Sequence, residues 1–135
     1  MCPDPQPEAC RLSCFRDGDQ CLVIPQGVLK MSNTASFRNC VLALFQDEPG
    51  TLFVDLSGLQ EIDSAGLGTL VGLHMTARKR KQTIKLLSPT PHQLQLFKLT
   101  RLDTIFTILS TAEALALRSR LETERFRQQI DNDVA

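Results

Sequence analysis

The chain has no excess of either charge. Fifteen Lys and Arg balance fifteen Asp and Glu over 135 residues, for a net charge of zero and a pI near 6.7. Taken as a whole it carries no electrostatic footprint for nucleic acid or for a membrane surface. No apolar run approaches the roughly 20 residues that a membrane span requires. The N-terminus, Met1-Cys-Pro-Asp-Pro-Gln-Pro-Glu8, is too polar and proline-rich for a secretory signal. A cytoplasmic protein without direct membrane insertion is the expectation. Cys-x-x-Cys pairs are also lacking. The five cysteines are Cys2, Cys10, Cys14, Cys21 and Cys40, and the two histidines, His74 and His92, lie far from them in sequence. Neither a zinc site nor a disulfide framework fits this pattern. The cysteines read as small, half-buried apolar residues. No metal and no cofactor are expected.

What is present suits a single soluble domain. Apolar residues make up 42% and charged residues 22%, ordinary values for a globular chain of this length. Residues 1–9 read as a flexible tail, 10–121 as the domain and 122–135 as a charged C-terminal extension, helical at first and then fraying. Ala9–Phe15 and Gln20–Pro25 read as a hairpin around Asp17-Gly18, a turn that would set Cys14 opposite Cys21 and let the pair oxidise in vitro. Gln26–Ser32 reads as a loop. Phe37, Cys40, Val41, Leu44 and Phe45 then recur at helical spacing behind a cap at Ser32 or Asn33. Thr51–Leu56 is a short apolar strand of the kind covered on both faces.

A helix is expected from Ser64 to Lys81 with Leu67, Leu70, Val71 and Ala77 inward and His74 at the core's edge. Thr83–Leu87 is the next strand. Thr90-Pro-His-Gln93 forms a capping box opening a helix with Leu94 and Phe97. Thr104–Ile108 reads as a strand, and Ser110-Thr-Ala-Glu113 as a second capping box before a helix with Ala114, Leu117 and Leu121 inward. The order is ββαβαβαβα: an α/β fold with a mixed sheet of about five strands and about four helices.

The segment Asp55–Gly68 carries the chemistry. Ser57–Ile62 reads as a loop into the helix. Asp63 is the better N-cap, because Ile62 and Leu67 then occupy the two positions of a hydrophobic staple. Ser64 becomes the first helical residue, its hydroxyl free to face solvent. Gly66, Gly68 and Gly72 follow, each costing a helix about 1 kcal/mol against alanine, which calls for close approach of another backbone or for mobility. A phosphoryl group on Ser64 would meet the positive end of the helix dipole and free N–H groups. The fold should tolerate it, while a docked partner would feel its charge of about −1.5 to −2. Local physics by itself favours a Ser64 that is only a cap-region residue.

Enzymatic readings fail on context. Gly66-x-Gly68-x-x-x-Gly72 lies ten residues beyond the strand end, and Thr83–Leu87 brings no acidic ribose ligand. Ile62 stands where a nucleophile elbow needs glycine, and a Walker lysine is missing. Arg78-Lys-Arg-Lys81 falls in a last helical turn, where cations suit the dipole, and reads as a solvated end. The chain is not expected to be an enzyme.

Leu56-Ser-Gly-Leu-Gln-Glu-Ile-Asp-Ser-Ala-Gly-Leu-Gly-Thr-Leu70 closely resembles the signature of STAS domains, above all the bacterial anti-sigma factor antagonists. Val54-Asp-Leu, Leu86-Leu-Ser-Pro-Thr-Pro91, Leu96–Phe106 and Ser110–Leu115 resemble the family's neighbouring elements, so the likeness runs over about residues 10–120. It implies a single STAS-like domain. It also implies a partner, an anti-sigma factor that is at once a serine kinase, sequestered by the unphosphorylated antagonist so that a sigma factor is freed. Phosphorylation would release it, and a serine phosphatase would reset the switch. Carried onto this chain, the phosphoacceptor is Ser64. Asp63, Ala65, Gly66, Leu67 and Gly68 join it in the partner surface, together with Lys30. Two residues depart from the family pattern. Ala65 replaces a second hydroxyl that many relatives carry, and Lys30 stands where relatives often place an acid, reversing the charge offered to a partner. The expected state is a monomer or weak dimer. The alternative role is a STAS accessory subunit of a membrane transport complex, such as a lipid-trafficking ATPase system.

Overall fold

The computed structural model describes residues 10–44, 50–124 and 129–134. The expected tail at 1–9 and Phe45 of the first helical stripe lie outside them. Among the described residues seven strands form one mixed sheet against four helices. Strands β1 (Cys10–Asp17) and β2 (Gln20–Leu29) make the hairpin. Then come α1 (Thr34–Leu44), β3 (Thr51–Asp55), β4 (Leu59–Ile62), α2 (Ser64–Lys79), β5 (Thr83–Leu87) and α3 (Pro91–Leu99). β6 (Thr107–Ile108), α4 (Thr111–Glu124) and β7 (Gln129–Val134) complete the chain. The sheet order is β6-β5-β3-β2-β1-β7, with β4 also paired to β2.

The α/β class, the mixed sheet and the four helices match the reading from sequence, and five elements differ in detail. The hairpin turn is Gly18-Asp19, one residue later than expected, because Asp17 pairs with Gln20 and Gly18 takes the left-handed φ of 61°. Cys14 therefore faces Val23 and not Cys21. The two sulfurs still meet diagonally, 2.9 Å apart, in the buried core. β2 runs on through the expected loop at Gln26. Its first half pairs with β3 and its second half, after an irregularity at Gly27-Val28, with β4. β4 itself falls where a loop was expected. Between Thr104 and Ile108 a 3-10 turn at Leu102–Thr104 replaces most of the strand, since Phe106 turns inward against Phe97 and leaves only two residues to pair with β5. The C-terminal extension continues α4 to Glu124 and then, instead of fraying, lays β7 antiparallel on β1.

Both faces of the sheet are covered. Phe37 and Val41 of α1, Leu67, Leu70, Leu73 and Ala77 of α2, and Phe97 of α3 pack on Cys21, Val23, Leu52, Val54 and Leu86. On the other face Ala114 and Leu117 of α4 cover Leu22, Ile24, Phe53 and Leu87. This accounts for the unbroken apolar run of β3, whose alternate side chains enter different cores. Asp55 ends that run on the α4 side and is fully buried. Arg118 of α4 meets it at 2.7 Å, and the Ser57 N–H and hydroxyl donate to its other oxygen. Such a carboxylate is tolerable only because each oxygen is engaged.

Candidate functional site

β3 ends, the chain jogs through Ser57-Gly58, and β4 delivers Asp63 to the start of α2. Gln93 holds the jog. Its side-chain oxygen accepts from the Thr90 N–H as part of the expected capping box. Its side-chain nitrogen donates to the carbonyls of Leu56 and Leu59, at 3.1 and 3.0 Å. The entry to α2 is thereby pinned to α3.

Asp63 is the N-cap, with φ −97° and ψ −176°. One carboxylate oxygen accepts from the Gly66 N–H at 2.8 Å and the other from the Met31 N–H at 3.1 Å. Its own N–H donates to the Leu29 carbonyl at 3.2 Å, and its carbonyl accepts from the Leu67 N–H at 2.9 Å. Asp63 thus clamps the end of β2 to the first turn of α2. Ile62 packs against the apolar cluster that holds buried Leu67, as a staple would have it. Ser64 follows as the first helical residue. It is exposed, and its hydroxyl has no hydrogen-bond partner among the described residues. The N–H groups of Ser64 and Ala65, the first two of the helix, lack intrahelical acceptors.

The three glycines separate by role. A β-carbon on Gly66 would lie 2.7 Å from the Leu29 carbonyl oxygen and 2.7 Å from a side-chain carbon of Ile62, so close backbone approach requires glycine there. Gly68 and Gly72 face open space. Ser64, Gly68 and Gly72 recur every fourth residue, which places them along one side of α2. The helix is smooth there, without side chains beyond the serine's.

Lys30 stands at the rim of the same site. Its ammonium pairs with Glu61 at 2.9 Å, and its N–H donates to the Asn33 side chain. Asn33 in turn donates to the Val28 carbonyl, which fixes the turn leading into α1. Lys30, Gln60, Glu61, Ile62, Asp63 and His92 line a cleft of about 230 Å³. The sequence-derived residues therefore gather at one place, with Leu67 buried beneath it and Ala65 half-buried. Glu61, Met31 and His92 were not read from the sequence as members. Only their partners across β2, β4 and α3 reveal them. The Asp55–Arg118 pair was also missed, although a carboxylate ending a buried apolar strand is a signal that a cation must come to it.

His74 sits at the core's edge as expected, edge-on to Phe106 with ring centroids 5.7 Å apart. Its buried Nδ1 has no hydrogen-bond partner among the described residues. Partial burial, and then the nearby Arg78, hold its pKa below the ordinary histidine value. Cys10, Cys14 and Cys21 are buried free thiols and Cys40 is half-buried. Burial raises the Cys10 thiol to about 11. Among the described residues no group of histidines, cysteines and carboxylates is arranged to hold a metal ion. No helix among them is long and apolar enough to cross a membrane.

The fold is similar to that of an anti-sigma factor antagonist from Mycobacterium paratuberculosis, with a TM-score of 0.67, 22% identity, and coverage of 79% of this chain and 92% of that one. It is also similar to the Bacillus cell fate determinant SpoIIAA in its phosphorylated form, with a TM-score of 0.59, 20% identity, and coverage of 78% and 96%. The murine anion transporter Slc26a9 contains a similar region, with a TM-score of 0.56 and 20% identity over 70% of this chain and 18% of the transporter. At these identities the likeness is one of fold. A family model described as "Mlab, STAS domain" matches residues 15–111, more than half of the sequence. The chain belongs to the STAS domain family.

Proposed function

We propose that this STAS domain is an anti-sigma factor antagonist that works by binding rather than by catalysis and is switched at Ser64. Unphosphorylated, it docks an anti-sigma factor that is also a serine kinase, through Ser64, Gly68, the Asp63 cap and the Lys30-Met31 turn. The kinase phosphorylates Ser64 and the complex parts. A serine phosphatase restores the binding form.

One observation carries this reading. Both oxygens of Asp63 are committed, to Gly66 and to Met31, so the cap is complete without Ser64. The serine hydroxyl is left exposed at a helix N-terminus, the place where a phosphate is best tolerated. Its addition disturbs no contact of the fold and changes the charge of a surface kept smooth by Gly68. The kinase then meets a phosphate of about −1.5 to −2 charges where it had met a hydroxyl. Lys30 and its partner Glu61 give the rim of the site a paired cation and carboxylate, which favours a partner with polar groups facing them.

The test is incubation of the purified chain with a cognate anti-sigma factor kinase and ATP. Mass spectrometry should find one phosphate, on Ser64, and none on Ser64→Ala. Phosphate on another residue, or none at all, contradicts the proposal. A second reading, an accessory subunit of a membrane transport complex, draws support from the similar region inside an anion transporter. It predicts copurification with an ATPase subunit and indifference to Ser64→Asp.

A further inference from the structure

Zero net charge conceals an uneven distribution of charge. Arg78, Lys79, Arg80 and Lys81 close α2 and are all exposed; Lys98 and Arg101 at the end of α3 are exposed too. α2 follows β4 and α3 follows β5, strands that run in the same direction beside β2 and β3. Both helices pack on the same face of the sheet, so they end at one edge of it. The contact of His74 with Phe106 ties the later turns of α2 to the segment that follows α3.

Two large apolar side chains stand in the same stretch as Lys98 and Arg101. Leu99 is 73% exposed and Ile105 43% exposed. Asp103 lies in the same segment as an opposing carboxylate. Among the described residues none of the six cations forms an ion pair, whereas Lys30 and Arg118 do.

We propose that this edge is a peripheral docking surface for an anionic lipid bilayer. The cations sit on long, flexible stems around two apolar tips. That arrangement suits a soft, continuous anionic surface, into which the apolar tips can dip while the charges stay at headgroup level. Each basic residue near such a surface strengthens binding about fivefold, an effect confined to roughly a Debye length. The 16 residues of α2 span about 24 Å at 1.5 Å per residue, so a docked domain holds Ser64 away from the lipid. Docking and the Ser64 site are therefore compatible, and the proposal does not depend on the function assigned to Ser64.

The experiment is co-sedimentation of the full chain with vesicles containing phosphatidylglycerol, against vesicles of phosphatidylcholine alone, at low and high salt. Binding is expected only to the anionic vesicles and only at low salt. The triple variant Lys79→Gln, Arg80→Gln, Lys81→Gln should bind roughly 100-fold more weakly, and Leu99→Ser several-fold more weakly. Both replace exposed side chains, and circular dichroism should show the wild-type fold. Ser64→Asp should bind as wild type does. Failure to bind anionic vesicles at low salt overturns the proposal. So does equal binding by the triple variant, or tighter binding to DNA or to polyglutamate than to the vesicles.

Discussion

Replacing Gly68 by alanine should stabilise the protein, and the same replacement at Gly66, two residues earlier in the same helix, should destabilise it. Both changes raise helix propensity, by about 1 kcal/mol each. At Gly68 the added methyl meets nothing within 4 Å. The gain is therefore kept, and the melting midpoint should rise by about 3–5 °C for a domain of this size. At Gly66 the methyl would lie 2.7 Å from the Leu29 carbonyl oxygen. That carbonyl cannot retreat freely, because the Asp63 N–H donates to it at 3.2 Å, and the Leu29 side chain is fully buried. Overpacking against backbone of this kind costs up to about 3 kcal/mol, so after the propensity gain of about 1 kcal/mol a net loss approaching 2 kcal/mol is expected. The chain has no tryptophan and no tyrosine, so urea unfolding is best followed by far-ultraviolet circular dichroism. A Gly66→Ala protein as stable as wild type would refute the close approach of β2 to α2. A Gly68→Ala protein less stable than wild type would refute the open helix face. Under the proposed function Gly68→Ala has a second consequence: the more stable variant should bind its partner less well, since the methyl stands on the docking surface.

Three further perturbations test the supports of the site. Asp63→Ala removes the cap and the tie to Met31 together and should cost about 2 kcal/mol in urea unfolding; a cost within error of zero would mean that water replaces both bonds. Arg118→Met strands the buried Asp55 carboxylate and should cost about 2–4 kcal/mol, below the full value for a buried pair because the arginine side chain is 33% exposed. Adding Asp55→Asn should recover part of that loss, and an additive double variant would argue against the pair. Raising the pH should destabilise the protein. The Cys10 thiol, ordinarily near 9.0, titrates in the fold at about 11. Between those values the unfolded chain has lost the proton and the folded one retains it, so stability present below pH 9 declines as pH rises through 11, by an order of 2–3 kcal/mol. Cys10→Ala should flatten that part of the stability profile.

The helices and the buried strands were legible in the sequence because their signals are local. Asp63, Thr90 and Ser110 announce helix starts through short-range hydrogen bonds, and all three cap as read. The apolar run of β3 declares a strand covered on both faces. What was not legible depends on partners distant in sequence. Leu59–Ile62 has two polar residues in four and becomes a strand because the second half of β2 receives it. Gln129–Val134, rich in residues that strands avoid, becomes one because β1 offers an edge. At the site, the clustering of Asp63, Ser64, Gly66 and Gly68 follows from one helix turn and could be read directly. The second bond of Asp63, to Met31, the pairing of Lys30 with Glu61 and the grip of Gln93 on Leu56 and Leu59 join separate elements. No local pattern encodes them.

If Ser64 is a switch on a finished scaffold, partner affinity must register it. Wild type and Ser64→Asp should be compared by calorimetry against a cognate anti-sigma factor kinase, with unfolding curves recorded for both proteins. Equal stability within about 0.5 kcal/mol and an affinity at least tenfold weaker for Ser64→Asp are expected. Equal affinity of the two proteins for that partner, or a Ser64→Asp chain that fails to fold, would contradict a switch at Ser64.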